Sequence, residues 1–411
     1  MKNYFILFLI FLPYLLFSQY EVSQVEAEQW GHYVVNKYFP QNAEYSIENV
    51  EILSENSNFT YYLCNIKPNG FILISGTKLL HPIIGYSWES DFNYPITQPA
   101  IKSFLGQISK YVEKSNKMHA LWLSDSAKNA EKQYRAVTPL LFTKWDQGVY
   151  YNQFCPKDPA GPDDRCVTGC VATALAQVLN YFRWPIVGEG EYTDIDTTYG
   201  HLYVNYAEQH YSYNQMPIAA NRENRQLAKL IYHIGVACDM YYGPDGSGMY
   251  NHKAAYAMKN FFRYDDSTKY LFRDEYTLDW DSLLRSYLDQ KIPLYYGGWS
   301  DTEYISGHAF VLDGYQDTMV YHINWGWGGA YDGYFNINNL TPAGADFTHK
   351  HELVINMFPK GQYPVYCNNI DTLLTLDGTI DAVSYTHLRA HETPEHLVCR
   401  LLLEKKKKTQ T

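Results

Sequence analysis

The chain has 411 residues, a length that implies two or three domains, each burying its own core, and excludes a peptide or a small disulfide scaffold. Hydrophobic residues make up 46% and charged residues 19%, with 40 Tyr and 9 Trp, a texture that excludes a disordered chain. A net charge of -11 and a pI near 5.7 exclude the basic face that non-specific nucleic-acid binding requires.

The first element is the apolar run from Phe5 to Phe17, preceded by Lys2 and followed by Ser18-Gln19, the three zones of a secretory signal peptide over residues 1–18. The run is too short to span a membrane, and no other stretch is long and apolar enough. The protein is therefore expected outside the cytoplasm, extracellular or periplasmic. The stretch from Val22 to Tyr38 has helical periodicity. Next come Tyr61 to Ile66, the turn Lys67-Pro68-Asn69-Gly70, and Phe71 to Ile74, which predict a β-hairpin. Pro99 to Glu131 returns to helical character. Ser124 to Arg135 is charged and reads as an exposed connector, the kind of segment where proteolytic nicking concentrates. From Val137 to about Phe358 the chain is rich in Tyr, Trp and Gly, with helices early and strands late, and no internal repeat is visible.

The acidic, aromatic texture ends near Asp381. Residues 382–411 resemble translated adapter read-through and are expected to be a non-native, unstructured basic tail. That tail carries six Lys+Arg and three Asp+Glu, so the remainder has a net charge of -14. Residues 359–381 then read as the start of a truncated C-terminal region.

Six cysteines remain once Cys399 is set aside: Cys64, Cys155, Cys166, Cys170, Cys238 and Cys367. Cys155 and Cys166 bracket a Pro/Gly/Asp loop that a disulfide could close in a secreted chain. The Cys166/Cys170 pair in RCVTGC has zinc-like spacing, but no second pair follows at a matching distance, so no metal is expected.

Cys170 opens a run to Phe182 in which Val171, Ala174, Leu175, Val178, Leu179 and Phe182 share one helical face, and Trp184-Pro185 ends it. A cysteine at a helix N-terminus lies beside unpaired N–H groups and the positive end of the dipole, which favour thiolate over thiol. Buried structural cysteines are commoner, but Thr168-Gly169 gives this one a tight, unhindered approach. A thiolate needs a cationic or basic partner. The suggestive imidazole is His308, at the mouth of the apolar strand GHAFVLDGY. Its competitor His322 sits inside the alternating strand Val320 to Asn324 and reads as a core or surface histidine. Asn324 could orient the His308 ring, the role of a third group in such sites, although an isolated Asn is more often a turn residue.

TGCVATALAQVLNYFRWP, GHAFVLDGY and HINWGWGGAYDGYFNI, in that order, resemble the streptopain family of papain-like cysteine peptidases, secreted bacterial zymogens. The resemblance runs from about Val137 to Phe358. Upstream, NGFILISGTKLLHPIIGYS resembles the strand region of that family's inhibitory propeptide. The resemblance implies an α+β fold: a papain-like domain over 136–358, part helical and part antiparallel sheet, preceded by an α+β propeptide over 19–135. It implies Cys170 as nucleophile, His308 as base, Asn324 as orienting residue and Trp325 as the indole shielding the His–Asn pair. It implies Gln147 as an oxyanion-hole donor, and Gly243, Ser247, Gly248 and Gly307 beside the substrate. No metal or organic cofactor is implied.

The expected function is a secreted cysteine endopeptidase made as a zymogen and acting through a Cys170 thioester, with protein or peptide substrates and its own propeptide as inhibitor. By the resemblance it prefers a bulky apolar residue one place before the scissile-bond residue. Two other classes use the same residues: a thiol-dependent amidase or transpeptidase, and an inactive secreted binding module, which would be expected to have lost one of Cys170, His308 or Asn324. Helix position and His308 together are expected to pull the Cys170 thiol well below its ordinary pKa.

Overall fold

The computed structural model describes residues 21–40, 44–53, 60–78, 82–92, 136–300, 306–317, 320–338, 340 and 347–361. The signal segment, the whole helical stretch from Pro99 to Glu131 and all of the Ser124–Arg135 connector lie outside the described residues, as do Cys367, Cys399 and the basic tail.

Helix α1 (Gln24–Tyr38) ends at the expected Tyr38 but starts two residues after the expected Val22, because Ser23 and Glu26 form a capping box: the Glu26 N–H donates to Ser23 Oγ at 3.3 Å and the Ser23 N–H donates to Glu26 Oε2 at 2.9 Å. Ala27, Gly31, Val34 and Val35 form its buried face. Strands β1 (Ser46–Leu53), β2 (Tyr61–Lys67), β3 (Phe71–Ser75) and β4 (Ile83–Ser87) follow as an antiparallel meander, with the predicted hairpin between β2 and β3. Gly70 makes that turn at φ +125°, where a Cβ would lie 2.4 Å from the Ser87 oxygen.

The apolar runs FILIS and IIGYS are buried at every position, as strands covered on both faces must be. Ile72, Ile74 and Ile83 face α1. Phe71, Leu73 and Ile84 face a second cluster that includes Phe310, Ile323, Trp325 and Phe335 from the C-terminal half.

The C-terminal half begins with helix α2 (Cys170–Phe182), followed by a separate hairpin, β5 (Glu191–Asp196) and β6 (Gly200–Asn205). Helices α3 (Arg225–Ala237) and α4 (His252–Phe261) pack with α2 around a core rich in Tyr rings. Strand β7 (Lys269–Phe272), helix α5 (Trp280–Asp289) and strands β8 (Leu294–Trp299), β9 (Gly307–Asp317), β10 (Val320–Asn324), β11 (Gly333–Asn336) and β12 (His349–Ile355) complete it. Among the described residues no helix is long and apolar enough to cross a membrane.

One sheet of ten strands runs through both halves, in the order β1-β2-β3-β4-β11-β10-β9-β8-β12-β7. The junction is antiparallel, Tyr334 opposite Tyr86 and Phe335 opposite Gly85, and the two tyrosine rings stack at 5.4 Å. Gly85 is required there: a Cβ would lie 2.4 Å from the Phe335 ring.

The disulfide considered between Cys155 and Cys166 is not formed; both are free and buried. Main-chain bonds close the loop instead, Asp158 N–H to Asp164 O at 3.0 Å and Cys166 N–H to Pro156 O at 2.9 Å. The Tyr199 hydroxyl braces the loop by donating to Asp158 Oδ2 at 2.6 Å.

Candidate active site

Cys170 is the first residue of α2, and the local sequence explains its setting. Gly169 precedes it at φ +85° and ψ 144°. A Cβ at Gly169 would lie 2.8 Å from the Ser247 oxygen and 2.9 Å from the Met240 sulfur, so only glycine fits. No side chain caps the helix at this position. Thr173 secures the first turn by donating both its N–H (3.2 Å) and its hydroxyl (3.1 Å) to the Gly169 carbonyl. The apolar face of α2 then packs on the sheet and holds the thiol against β9, where the Ala309 N–H donates to Cys170 Sγ at 3.4 Å.

His308 is buried at the second position of β9, and its Nε2–H donates to the main-chain oxygen of Trp325 at 2.7 Å. A carbonyl can only accept, so Nε2 carries the proton, and in the neutral ring Nδ1 holds the lone pair. Trp327 is the nearest aromatic ring, with centroids 4.7 Å apart, followed by Phe347 at 5.2 Å. Trp325 stacks at 6.2 Å from the imidazole and 5.7 Å from Trp327. Trp325 is fully buried, consistent with a shield, but Trp327 lies closer; sequence reading gave it no role, although it stands in the same NWGWGG motif.

The electrostatics differ from the sequence expectation. Burial pushes the Cys170 thiol above its ordinary value, against the N–H groups of Ala309, Val171 and Cys170 itself, which pull the other way. Burial also lowers His308 to about 4, against the Trp325 carbonyl. Enclosure thus outweighs the helix terminus in this full-length form, disfavouring the thiolate of Cys170 and the charged ring of His308 alike.

Asn324 does not orient His308 through its side chain. Its Oδ1 accepts from Gln177 Nε2 at 2.8 Å and from the Gly326 N–H at 3.1 Å, and its Nδ2 donates to the Thr143 oxygen at 2.7 Å. Gln177 lies two turns below Cys170 on α2 and also accepts from the Thr143 hydroxyl at 2.8 Å. Asn324 therefore ties α2, the Thr143 segment and the turn after β10 together. Gln177 was missed by the sequence reading, its signal being a polar residue within the otherwise apolar buried stretch of α2.

Gln147 is partly exposed and is tied to the segment that precedes Cys170. Its carbonyl accepts the Thr168 N–H at 3.0 Å, and its side-chain amide donates to the Gly326 oxygen at 3.4 Å. The 243–248 loop is tied to the same segment: Val167 N–H donates to Gly243 O at 3.1 Å, and Ser247 Oγ donates to Val167 O at 2.7 Å. Gly248 fixes the loop base through paired main-chain bonds with Tyr241. Gly307 pairs with Trp299, whose indole covers it so closely that a Cβ would be 2.7 Å away. Gln147 and the 243–248 loop are thus both tied to the Val167–Thr168 segment that leads into Cys170, which in turn rests against the start of β9 beside His308.

His322 is buried, with Nδ1 2.6 Å from Asp313 Oδ1 and Nε2 4.0 Å from Glu89 of the N-terminal half. Burial alone would lower it, but Asp313, with Glu89 and Asp332, pushes it up to about 9. Asp332 is itself pushed up to about 7 by burial, opposed by the Trp325 N–H and His322.

Known proteins resemble this chain over both of its halves. Residues 145–335 match the Peptidase C10 family and residues 20–112 match the Spi protease inhibitor family. Streptopain of Streptococcus pyogenes is 30% identical over 323 residues, covering 72% of this chain and 78% of that protein. The thiol protease/hemagglutinin PrtT of Porphyromonas gingivalis is 28% identical over 293 residues, covering 67% of this chain and 33% of that longer protein. Among solved structures, active wild-type interpain A cysteine protease of Prevotella intermedia matches at 35% identity and a TM-score of 0.51, over 55% of this chain and 97% of that one. A mutant prointerpain A fragment from the same organism matches at 29% identity and 0.59, over 76% of this chain and 100% of that one. With an inhibitor domain, a peptidase domain and a papain-like mixed fold in one chain, the protein belongs to the Peptidase C10 (streptopain) family of cysteine peptidases.

Proposed function

We propose that the protein is a secreted endopeptidase made as a zymogen, with residues 1–18 as signal, 19–135 as inhibitory propeptide and 136–358 as the catalytic domain. Cys170 is the nucleophile. His308 Nδ1 takes the thiol proton, and the sulfur attacks the scissile carbonyl carbon. The resulting oxyanion is received by the Gln147 amide and the Cys170 N–H. Collapse breaks the C–N bond as His308 returns the proton to the leaving amine, leaving a thioester. Water, deprotonated by the same imidazole, then attacks the thioester; the acid departs and the thiol is restored. Trp325 and Trp327 keep bulk water from the imidazole. Gly243, Ser247, Gly248 and Gly307 border the substrate, and the bulky apolar preference one place before the scissile-bond residue is carried over from the resemblance.

The observation that carries this reading is the Ala309 N–H to Cys170 Sγ hydrogen bond of 3.4 Å, which sets the thiol against the residue that follows His308. The test is incubation of the signal-less chain, under reducing conditions, with a thiol-directed epoxide. Wild type should be labelled at Cys170 and should convert to a fragment beginning near Ala136. Cys170→Ala should remain uncut and unlabelled. An intact wild-type chain with full peptidase activity would remove the zymogen part, and identical conversion of both chains would assign the cut to another protease.

A further inference from the structure

The junction of the two halves carries a charge pair as well as a strand pair. His322, in β10, lies opposite Tyr334 of β11 and meets its ring edge-on, with centroids 5.0 Å apart. Tyr334 stacks in turn on Tyr86, and its ring lies 4.9 Å from that of Trp88, just beyond β4. The two nitrogens of His322 have different surroundings. Nδ1 is 2.6 Å from Asp313 Oδ1, and the other oxygen of Asp313 accepts the Leu141 N–H at 2.8 Å. Nε2 is buried and has no hydrogen-bond partner among the described residues, while Glu89 Oε1 of the N-terminal half stands 4.0 Å away. The ring keeps its proton: burial disfavours the charge, but Asp313, Glu89 and Asp332 together push its pKa up to about 9. Nε2 is thus a charged donor enclosed at the seam, and a buried donor without an acceptor is costly.

The backbone of the N-terminal half sets Glu89 in place. Ser87 Oγ accepts the N–H groups of Glu89 at 3.1 Å and Ser90 at 3.2 Å, and it donates to the Asp332 oxygen at 2.6 Å. Ser90 Oγ donates to the same oxygen at 3.2 Å, so the turn after β4 is pinned to the peptidase half two residues before Tyr334. We infer that His322 is the point at which the peptidase domain recognises its N-terminal half: the β11 edge takes an extended strand, and the imidazolium behind it selects a strand followed by a carboxylate, here Glu89. Main-chain bonds between β4 and β11 read no side chain, and Gly85 only removes an obstacle. The charge pair adds partner and register, because a shift of one residue along β11, about 3.3 Å, takes the carboxylate away from the enclosed donor. Release of the N-terminal half removes the carboxylate and opens Nε2 to water, so the charge on Glu89 counts in the docked state alone.

The inference rests on the proposed inhibitory role of residues 19–135, and the experiment separates the two. Signal-less wild type, Glu89→Gln, His322→Gln and the double variant are mixed with excess thiol-directed epoxide, which labels Cys170 before the chain can cut itself. Labelling is followed by mass spectrometry. Each rate is divided by that of the same variant's mature fragment, obtained by conversion without the epoxide, so that a change confined to the peptidase domain cancels. Wild type should label far more slowly as the full-length chain than as the mature fragment. Glu89→Gln should raise the full-length rate roughly five- to tenfold, the size of a partly buried charge pair across an interface, while its mature fragment, which lacks residue 89, labels as wild type does. In the His322→Gln background the same substitution should change the rate by less than about twofold. An unchanged rate in Glu89→Gln, or an equal acceleration in both backgrounds, would overturn the inference. If His322→Gln does not fold, Glu89→Lys takes its place and should label faster than Glu89→Gln, because two cations then face each other; equal rates would again overturn the inference. Full-length and mature wild type labelling equally fast would instead overturn the proposed inhibitory role, and the inference with it.

Discussion

His308 donates to the main-chain oxygen of Trp325 at 2.7 Å, while the side chain of Asn324, one residue earlier, points to Gln177, Thr143 and Gly326. The imidazole is thus oriented by a backbone atom, and the conspicuous Asn of the motif serves to hold the turn that carries that atom.

This division of labour predicts different phenotypes for two neighbouring substitutions. His308→Ala removes the proton carrier and should nearly abolish turnover. Asn324→Ala should retain activity per folded molecule but destabilise the chain by about 1–3 kcal/mol, because the Gln177 amide and the Thr143 carbonyl lose a partner in the interior. Urea unfolding in a Cys170→Ala background and kcat per titrated site measure the two effects. Equal residual rates in the two purified, folded variants would contradict these roles.

The neutral thiol–imidazole pair has its own signature. In the full-length chain, alkylation of Cys170 should stay slow at mildly acidic pH and rise only above about pH 8.5, the ordinary thiol range or higher. His308, held at about 4 by burial, supplies no positive charge through the neutral range. A fast alkylation arm near pH 6 that disappears in His308→Ala would restore the ion pair expected from the helix terminus alone.

His322 ties stability to pH. Its folded pKa of about 9 lies above its ordinary 6.5, so the folded state keeps a proton that the unfolded chain releases. The stabilisation is complete below pH 6.5, declines as pH rises from there, and is gone above about 9. Its size is on the order of 3 kcal/mol at most. Melting temperatures of Cys170→Ala chains across this range should fall with pH, and the fall should be shallower in the additional presence of His322→Gln. Parallel curves would remove His322 from the account.

The sheet junction can be tested at Gly85. Val at this position drives a Cβ into the Phe335 ring, and overpacking of about 1–3 kcal/mol should undock the N-terminal strands often enough to speed conversion of the full-length chain roughly tenfold or more. The rate is read from the appearance of the fragment beginning near Ala136. Unchanged conversion would mean that latency does not depend on the β4–β11 pairing.

Much of this protein was legible in its residues taken one segment at a time. The apolar face of α2, its end at Trp184-Pro185, the helical period of α1 and the hairpin at Gly70 are local, and local patterns set the period and the turn. The motifs around Cys170 and His308 were equally visible, because side-chain chemistry has a letter in the sequence. Other features could be decided only by tertiary structure. The His308 acceptor is a peptide oxygen, and every residue has one. Gln177 meets Asn324 across a distance that no spacing encodes, and the spacing of Cys155 and Cys166 does not say where their sulfur atoms point. The continuity of the sheet from β4 to β11 depends on two edge strands meeting with a glycine opposite a phenylalanine, a match that exists only once both halves are folded. The Cys170 pKa departs from expectation for the same reason: a helix terminus acts within its own first turn, whereas the burial that outweighs it is contributed by distant parts of the chain.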